Sequence, residues 1–579
     1  MKGKVSLSFF GLGYVGLTTA SCFASRGFNV ICFDVDESKV EAVNSGIASF
    51  FEPKLENLLK SSVKKGLLKA TRDPSEAVLN SDITFITVGT PAKEDGGIDL
   101  TYVLNASRMI GEALRFKGDW HIVVVKSTVV PMTTENVVKK VVEESSGKHV
   151  GKDLGLCVNP EFLREGNAVE DTFKPDRIII GEFDKRSGDL LEDLYRKFYG
   201  NNMPPIVRTT PVNAELIKYV NNAFLAMKVS FINMVANLCQ KLPDADVEVI
   251  AEGIGLDKRI GPLFLKAGIG WGGSCWPKDL RALLNFSLKN GVELPLVEAT
   301  LEVNETQPYK IVELAKELVG ELNGKRISVL GLAFKPETDD MRNAVSIKVI
   351  DRLLEEGAKV TAYDPRAIEN ARRIFGEKIE YANNLEECLK NSECALVLTE
   401  WNEFRKLALE DFIKMMKVPA VSDGRRIYDP KIFSKKLRFN AIGLGERRYY
   451  NPAVAVNAII EKDESIFLVK RSIEPFKGLW SLPGGFIEYN ETVEEALVRE
   501  VEEETGLKIK PIRVVSVYSN PIRSPVKHVI TICYHCTVLG GALKFSDESM
   551  EARFFALDQL PKEMAFDHRN IVEEFLAQR

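Results

Sequence analysis

Lys4-Val-Ser-Leu-Ser-Phe-Phe-Gly11-Leu-Gly13-Tyr-Val-Gly16 decides the fold of the front of this chain. An apolar helical stretch follows through Ala24, then a strand, Asn29-Val-Ile-Cys-Phe, that ends at Asp34-Val-Asp36. Strand, glycine turn, helix and strand in that order predict a dinucleotide site. Gly11 makes the tight turn, Gly13 lets a pyrophosphate approach the backbone, and Gly16 lets helix and strand pack closely. Asp34 lies where a carboxylate accepts the adenosine ribose hydroxyls and repels a 2′-phosphate, so NAD is expected over NADP. Asp36 is the rival for that contact, and Asp34 is preferred.

Outward from this stretch, the chain keeps alternating strands and helices to about residue 200. Ile83 to Val88 reads as a buried strand ending in Gly89-Thr90-Pro91. Ile122 to Val125 is another, ending in Lys126-Ser127-Thr128, and Asn159-Pro-Glu161-Phe-Leu-Arg-Glu165-Gly166 follows a third. Ligands bind at such carboxyl-terminal strand edges. From Pro211 to about Leu238 a helical pattern runs without glycine or proline, long enough to connect two lobes or to meet a second copy. Gly324 to Gly331 and Lys359 to Asp364 begin a second Rossmann-like region.

At 579 residues and 45% hydrophobic content, several cores are expected. A net charge of −5 without a basic stripe argues against nucleic-acid binding. Nine cysteines without framework spacing fit a reducing, cytoplasmic setting. Lys2 and Lys4 lead straight into a strand, so no signal peptide is expected, and no uninterrupted apolar run reaches membrane-spanning length. Cys533-Tyr-His-Cys536 has a ligand-like gap, but its alternating surroundings, Val529 to Val538, favour a strand over zinc.

The second informative segment is Gly268-Ile-Gly-Trp-Gly-Gly-Ser-Cys275-Trp-Pro-Lys-Asp279. Most free cysteines are inert core residues. Here glycines leave room for a substrate or cofactor, and the nearby Lys278 is expected to favour the thiolate. Residues 1 to about 445 resemble the UDP-glucose/GDP-mannose dehydrogenase family. The resemblance rests on Gly11-x-Gly13-x-x-Gly16, Asn159 to Gly166, Glu215-Leu-Ile-Lys218-Tyr-Val-Asn-Asn222, the Cys275 segment, and Gly331-Leu-Ala-Phe-Lys335-Pro-Glu-Thr-Asp-Asp340-Met-Arg342. The Cys275 segment looks most like UDP-glucose 6-dehydrogenases. Met234, often acidic in the family, and Trp276, often Phe, depart from the pattern without removing a catalytic group.

The resemblance implies a four-electron oxidation of a UDP-sugar at C6. A first hydride leaves the alcohol, Cys275 captures the aldehyde as a thiohemiacetal, and a second hydride loss gives a thioester that water hydrolyses. Two NAD molecules are used in turn. Lys218 is expected to stabilise the oxyanion, with Asn222 one turn later on the same face donating to the same oxygen. Asp279 is expected to partner Lys218, and Glu161 to act as base for hydrolysis with Thr128 orienting the water. For the cofactor the resemblance implies Tyr14, Val15, Lys39, Thr90, Thr128, Glu165 and Arg342 beside the three glycines and Asp34. For the sugar nucleotide it implies Glu161, Phe162, Leu163, Lys218, Asn222, Arg259, Phe264, Gly272, Lys335 and Arg425, with Arg426 an alternative to Arg425.

The tail carries a separate signature. Gly485, Glu491 and Arg499-Glu500-Val-Glu-Glu503-Glu504-Thr-Gly506-Leu fill every fixed position of a Nudix box. On a helix, Glu500, Glu503 and Glu504 crowd one face and repel one another, so a hard divalent cation, Mg²⁺ or Mn²⁺, is expected there. The resemblance to the Nudix family implies that residues 452–579 form an α/β/α sandwich that attacks a nucleoside diphosphate substrate with metal-activated water. Tyr518-Ser-Asn-Pro521 resembles ADP-ribose pyrophosphatases, and Glu548 or Glu551 completes the base arrangement.

The expected organisation is α/β throughout: two Rossmann-like domains joined by a long central helix, then the Nudix domain. The expected boundaries are an NAD-binding Rossmann domain at 1–205, a central helical dimerisation and catalytic domain at 206–310, a UDP-sugar-binding Rossmann-like domain at 311–445, and the Nudix domain at 446–579. A homodimer or higher oligomer is expected, with no nucleic-acid or membrane partner. The competing reading is a GDP-mannose or UDP-N-acetylhexosamine 6-dehydrogenase with a nucleotide-sensing, non-catalytic tail.

Overall fold

The computed structural model describes residues 5–446, 451–525, 527–544, 546 and 548–579. Lys2, Lys4 and residues 447–450 of the expected inter-domain loop lie outside them. The chain divides into two compact units, Met1–Arg447 and Arg448–Arg579.

The first sheet of the larger unit contains β1 (Ser6–Phe10), β2 (Asn29–Phe33), β3 (Leu68–Thr71), β4 (Ile83–Ile86), β5 (Ile122–Val125), β6 (Gly155–Val158), β7 (Ile178–Glu182) and β8 (Ile206–Thr209). Their order is β3-β2-β1-β4-β5-β6-β7-β8. Only the β6–β7 pair is antiparallel. β4, β5 and β6 are buried at every residue, which is why they read as unbroken apolar runs. Strand order reverses between β1 and β4, so a crevice opens beyond the carboxyl ends of those two strands. The loops Gly11–Gly13 and Thr87–Thr90 meet there.

The second sheet contains β9 (Arg326–Leu330), β10 (Lys359–Tyr363), β11 (Glu380–Tyr381), β12 (Cys394–Val397), β13 (Ala420–Asp423) and β14 (Arg438–Ala441). It is fully parallel in the order β11-β10-β9-β12-β13-β14. It repeats the opening turn of the first. Gly331 N–H donates to Tyr363 O at 2.8 Å with φ +103°, as Gly11 N–H does to Phe33 O at 2.8 Å with φ +108°. Asp364 takes the place of Asp34, yet both its oxygens are consumed. Leu332 N–H, Ala333 N–H and the Trp401 indole donate to one, Arg366 and Ala367 N–H to the other. A long loop, 332–344, rather than an immediate helix, follows β9 and carries Lys335 and Arg342.

Between the sheets runs the helix Pro211–Cys239, opened by Pro211 in its first turn and containing no later proline or glycine. Its buried face sets Glu215, Lys218, Asn222, Ser230 and Asn233 among alanines, Tyr219, Ile232 and Cys239. Its outward side exposes Val220, Phe224, Phe231, Met234 and Leu238. The helix thus buries polar side chains while several large apolar ones face outward. By length and composition this helix could cross a membrane. The sequence reading finds no run of that length; buried polar residues lie within this one.

The smaller unit contains β15 (Ala453–Lys462), β16 (Ser465–Arg471), β17 (Trp480–Ser481), β18 (Gly484–Phe486), β19 (Leu507–Tyr518), β20 (Val529–Gly541) and β21 (Ser549–Ala556). The helix Val493–Thr505 packs on one side of these strands through Ala496, Leu497 and Val501. The helix His568–Ala577 packs on the other through Ile571, Val572 and Phe575. A capping box joins Thr492 and Glu495 at the start of the first helix, and Gly506 ends it with φ +74°. Cys533 and Cys536 lie three apart on β20 and face opposite cores, so they cannot close on one metal.

A Cβ at Gly16 would lie 1.9 Å from the Gly11 carbonyl oxygen, whereas one at Gly13 meets nothing within 4 Å. Gly16→Ala is expected to destabilise the fold by about 1–3 kcal/mol. Gly13→Ala is expected to leave it nearly unchanged. Calorimetric unfolding of the two variants distinguishes them.

Candidate active sites

In the β1–β4 crevice the turn fits a dinucleotide. The open space above Gly13 leaves room for a phosphate against the backbone, and Tyr14–Ser25 begins its helix there. Asp34 is held at the end of β2 by Leu12 N–H at 2.8 Å and Asp36 N–H at 3.0 Å. Lys39 Nζ stands 4.0 Å from it. Asp36 caps the next helix by accepting Ser38 N–H at 3.0 Å, so it is already engaged. Val15 is half-buried beside the turn. Tyr14 turns its hydroxyl to accept Gly166 N–H at 2.7 Å, joining the turn to the Asn159–Gly166 loop.

A second group of side chains converges where the long helix, the helix Trp276–Lys289 and the end of β6 meet. Cys275 caps that second helix, and its thiol is reachable by solvent although protein surrounds it closely. Lys218 and Glu161 form a buried ion pair at 3.0 Å, and Leu163 N–H donates to the other Glu161 oxygen at 2.6 Å. Burial pushes the Glu161 carboxyl up, but Lys218, Leu163 N–H and Lys126 together bring it below its ordinary range. Burial pushes the Lys218 ammonium down, and Glu161, Cys275 and Asp279 reverse that. Asp279 is buried and accepts from Asn222 at 2.8 Å and from Lys278 at 2.6 Å. The expected Lys218–Asp279 pairing is therefore corrected: each takes a different partner, because Glu161 comes up from the β6 edge while Lys278 stays beside its own neighbour. The expectation that Lys278 activates the thiol is corrected too. Burial and the Asp279 charge raise the Cys275 thiol above its ordinary value, and Lys218 only partly opposes them.

Around this group, Phe162 lies under Lys218, 5.3 Å from ring centre to Nζ. Thr128 is half-buried just past β5, and Thr90 lies 3.5 Å from Lys278 Nζ. Gly272 presses on Asn343 of the loop after β9, where a Cβ would meet the carbonyl oxygen at 2.1 Å. Ser274 donates to Glu165 at 3.1 Å, and Arg342 reaches Glu165 at 3.4 Å and Asp340 at 2.7 Å. Burial and Asp340 push the Glu165 carboxyl up to about 7. Lys335 is partly buried near Glu165 and Glu52. Arg425 donates to Leu398 O at 2.7 Å and Gly270 O at 3.2 Å, facing the cysteine loop. Its alternative, Arg426, is spent on Asp246 at 2.8 Å. Phe264 lies tilted against Trp276, with ring centres 5.9 Å apart. Arg259 is not brought into the group; it is exposed and pairs with its neighbour Asp257 at 2.6 Å.

In the smaller unit, Gly485 lies against Glu500, where a Cβ would fall 2.2 Å from its oxygen. Arg499 bridges the acidic set, donating to Glu491 at 2.7 Å, Glu500 at 3.0 Å and Glu503 at 3.3 Å. Glu504 accepts Gly484 N–H at 3.1 Å, and burial with Glu548 and Glu500 nearby raises its carboxyl to about 7. The donor type and the crowded negative charge fit a hard divalent cation. Among the described residues, no three ligating side chains are drawn together into a closed cage. Arg499 supplies the counter-charge instead. Glu551 is engaged by Lys470 at 4.0 Å and Arg553 at 3.7 Å, whereas Glu548 acts on Glu504. Tyr518 donates to Glu574 at 2.7 Å, and Pro521 follows in the turn after β19.

Residues 5–199 match the NAD binding domain of the UDP-glucose/GDP-mannose dehydrogenase family, residues 212–306 its central domain, and residues 328–430 its UDP binding domain. The UDP-glucose 6-dehydrogenase AglM of Haloferax volcanii is 46% identical over 426 residues, 73% of this chain and 97% of the relative. This chain belongs to the UDP-glucose/GDP-mannose dehydrogenase family. It also carries a NUDIX domain, matched over residues 450–575. The UDP-glucose 6-dehydrogenase TuaD of Bacillus subtilis is 42% identical, across 73% of this chain and 89% of TuaD. The solved UDP-glucose dehydrogenase of Pyrobaculum islandicum is 41% identical with a TM-score of 0.70, covering 77% of this chain and 99% of that one. A UDP-D-ManNAc dehydrogenase of Pyrococcus horikoshii is 28% identical with a TM-score of 0.66, covering 76% and 99%.

Sequence reading of this dehydrogenase passed over several neighbours of the site. Glu52 accepts Gly166 and Ala168 N–H, both at 2.7 Å, and fixes the loop that Tyr14 also holds. Nothing in its local pattern marks it. Lys126 is buried beside Asn159, donating at 2.9 Å. Its signal was a charge placed directly after the apolar run Ile122–Val125.

Two expectations follow. Cys275 is the one exposed cysteine and the other eight are buried, so iodoacetamide should label the native dehydrogenase once. Because the thiol is raised, the labelling rate should still be climbing at pH 9.0, and Cys275→Ser should abolish it. In the NUDIX domain, a carboxyl raised when folded stabilises the fold while protonated. Glu504's contribution is full below pH 4.5 and lost as pH passes about 7. Hydrogen exchange of the Val493–Thr505 amides should show that slope. Glu504→Gln should flatten it, and Mg²⁺ should restore protection at pH 8 in the parent.

Proposed function

We propose that this chain oxidises UDP-glucose to UDP-glucuronate at Cys275, and that its NUDIX domain hydrolyses a nucleoside diphosphate derivative. The observation that carries the first part is the convergence of Cys275, the Lys218–Glu161 pair and the Asn222–Asp279–Lys278 set beside the dinucleotide crevice.

When bound, NAD supplies the acceptor for a hydride from C6 of the sugar, once in each of two rounds. Lys218 offers its ammonium to the C6 oxygen as the hydroxyl proton passes to Asp279 and on to solvent, and Asn222 adds a neutral donor on the same face. Asp279, the carboxylate whose charge acts most on the thiol, takes the Cys275 proton as the sulfur adds to the aldehyde carbon. The hemithioacetal oxygen again rests on Lys218. After the second hydride loss the carbon is a thioester. Glu161 takes a proton from the water that attacks it, Thr128 orients that water, and the thiol departs reprotonated. Lys335, Arg425 and the Gly268–Gly273 loop support the sugar nucleotide from the second sheet. Gly11, Gly13 and Asp34 support the cofactor. The apolar outer side of the long helix supports pairing of two copies.

In the NUDIX domain, Glu500, Glu503 and Glu504 would hold a Mg²⁺ or Mn²⁺ ion that polarises a diphosphate. Glu548 is favoured over Glu551 as the further carboxylate. ADP-ribose is the proposed substrate, on Tyr518 to Pro521.

NADH release with UDP-glucose, GDP-mannose and UDP-N-acetylhexosamines tests the first part. Two NADH per UDP-glucose are expected, none beyond background for the others, and no uronate from Cys275→Ser. Glu161→Gln should slow turnover about 10²–10⁴-fold and accumulate an acylated protein visible by mass. Uronate formed by Cys275→Ser at the parent rate overturns the reading. For the tail, AMP release from ADP-ribose with Mg²⁺ should fall sharply in Glu503→Gln; equal cleavage by both proteins rejects hydrolysis at this site.

A further inference from the structure

Lys126 is an ammonium taken out of water without a carboxylate to receive it. It stands directly past β5 and is 7% exposed. Its Nζ donates to the Asn159 side-chain oxygen at 2.9 Å and faces the Asn159 carbonyl at 3.5 Å. Among the described residues, no carboxylate oxygen lies within 4.0 Å of it. The asparagine oxygen is thereby saturated, accepting also from Tyr195, and its amide nitrogen donates to Ile179 O at 2.8 Å. Isolated buried charge is costly, and a protein that keeps one has placed it against something. The neighbouring charges that act on Lys126 are Glu161, which favours its ammonium, and Lys218, which opposes it.

Lys218 neutralises Glu161 at 3.0 Å. In the reaction proposed above, on which this inference rests, the same lysine must also serve the C6 oxygen. An ammonium drawn toward that oxygen leaves Glu161 as a buried anion, which burial would protonate and disable as a base.

We propose that Lys126 is a positioning residue that keeps Glu161 ionised while Lys218 attends to the sugar oxygen. It touches no reacting atom. Its charge reaches Glu161 from the β5 side and its hydrogen bond fixes Asn159, two residues before Glu161. Burial lowers the Lys126 pKa to about 8, so the device is half charged there, gains charge as pH falls and weakens as pH rises.

The test is the pH profile of uronate formation by the full chain, with UDP-glucose and NAD saturating. In Lys126→Met the acid limb of kcat should move up by about one pH unit or more, with KM for UDP-glucose unchanged. Acylated protein should accumulate at low pH, and Lys126→Arg should restore the parent limb. Tyr195→Phe removes another hydrogen bond to Asn159 but no charge, so its limb should stay in place. Superposable profiles for Lys126→Met and the parent would overturn the proposal, as would an equal shift in Tyr195→Phe. If Lys126→Met does not fold, Lys126→Gln carries the same comparison, with circular dichroism as the check. A parent that forms no uronate refutes the reaction itself, a result distinct from an unmoved limb.

Discussion

The buried pair between Lys218 and Glu161 is the constraint around which the larger unit is arranged. Neither charge survives there alone, since removing one partner of such a pair costs about 3–5 kcal/mol. Each comes from a different part of the fold: Glu161 from the loop past β6, Lys218 from the second turn of the long helix. Their meeting at 3.0 Å fixes the helix against the first sheet. Asn222, a turn further along, then reaches Asp279, which fixes the cysteine-bearing helix against the same face.

This arrangement accounts for the polar side chains buried along the long helix. They line the site between small apolar residues such as Ala214, Ala223 and Ala226, which let the neighbouring elements approach. Ser230 and Asn233 continue the polar line beyond the site: Ser230 accepts from the Trp271 indole at 3.0 Å, and Asn233 from Gly268 N–H at 2.8 Å. Both hold the glycine-rich loop leading to Cys275. The same helix therefore contributes to the site at one end and tethers the cysteine loop at the other.

Much of the fold was legible because its signals were local. The Gly11–Gly16 turn, the buried runs of β4 and β5, and the Gly506 terminus of the acidic helix each depend on neighbours in sequence. The Nudix box was legible because its carboxylates share one helix. What escaped were pairings decided by distant segments. Asp279 and Lys278 sit side by side in sequence, but whether Lys218 would choose Asp279 or Glu161 depended on how β6 approached the helix. The thiol's raised value likewise came from burial and from a carboxylate one helical turn away, which outweighed the lysine charge visible in the motif. Arg259 was carried over by resemblance alone, and in this chain it stays with Asp257.

The two Rossmann sheets share a turn but not a use for it. Asp34 keeps its carboxylate at the edge of an open crevice, whereas Asp364 has been absorbed into five hydrogen bonds under a long loop. Among the described residues, the larger unit thus offers a single dinucleotide berth for a reaction proposed to remove two hydrides. Spent cofactor has to vacate that berth while the half-oxidised sugar stays behind. A covalent bond to sulfur, at the mouth of a different helix from the one that cradles the dinucleotide, lets one ligand turn over without releasing the other.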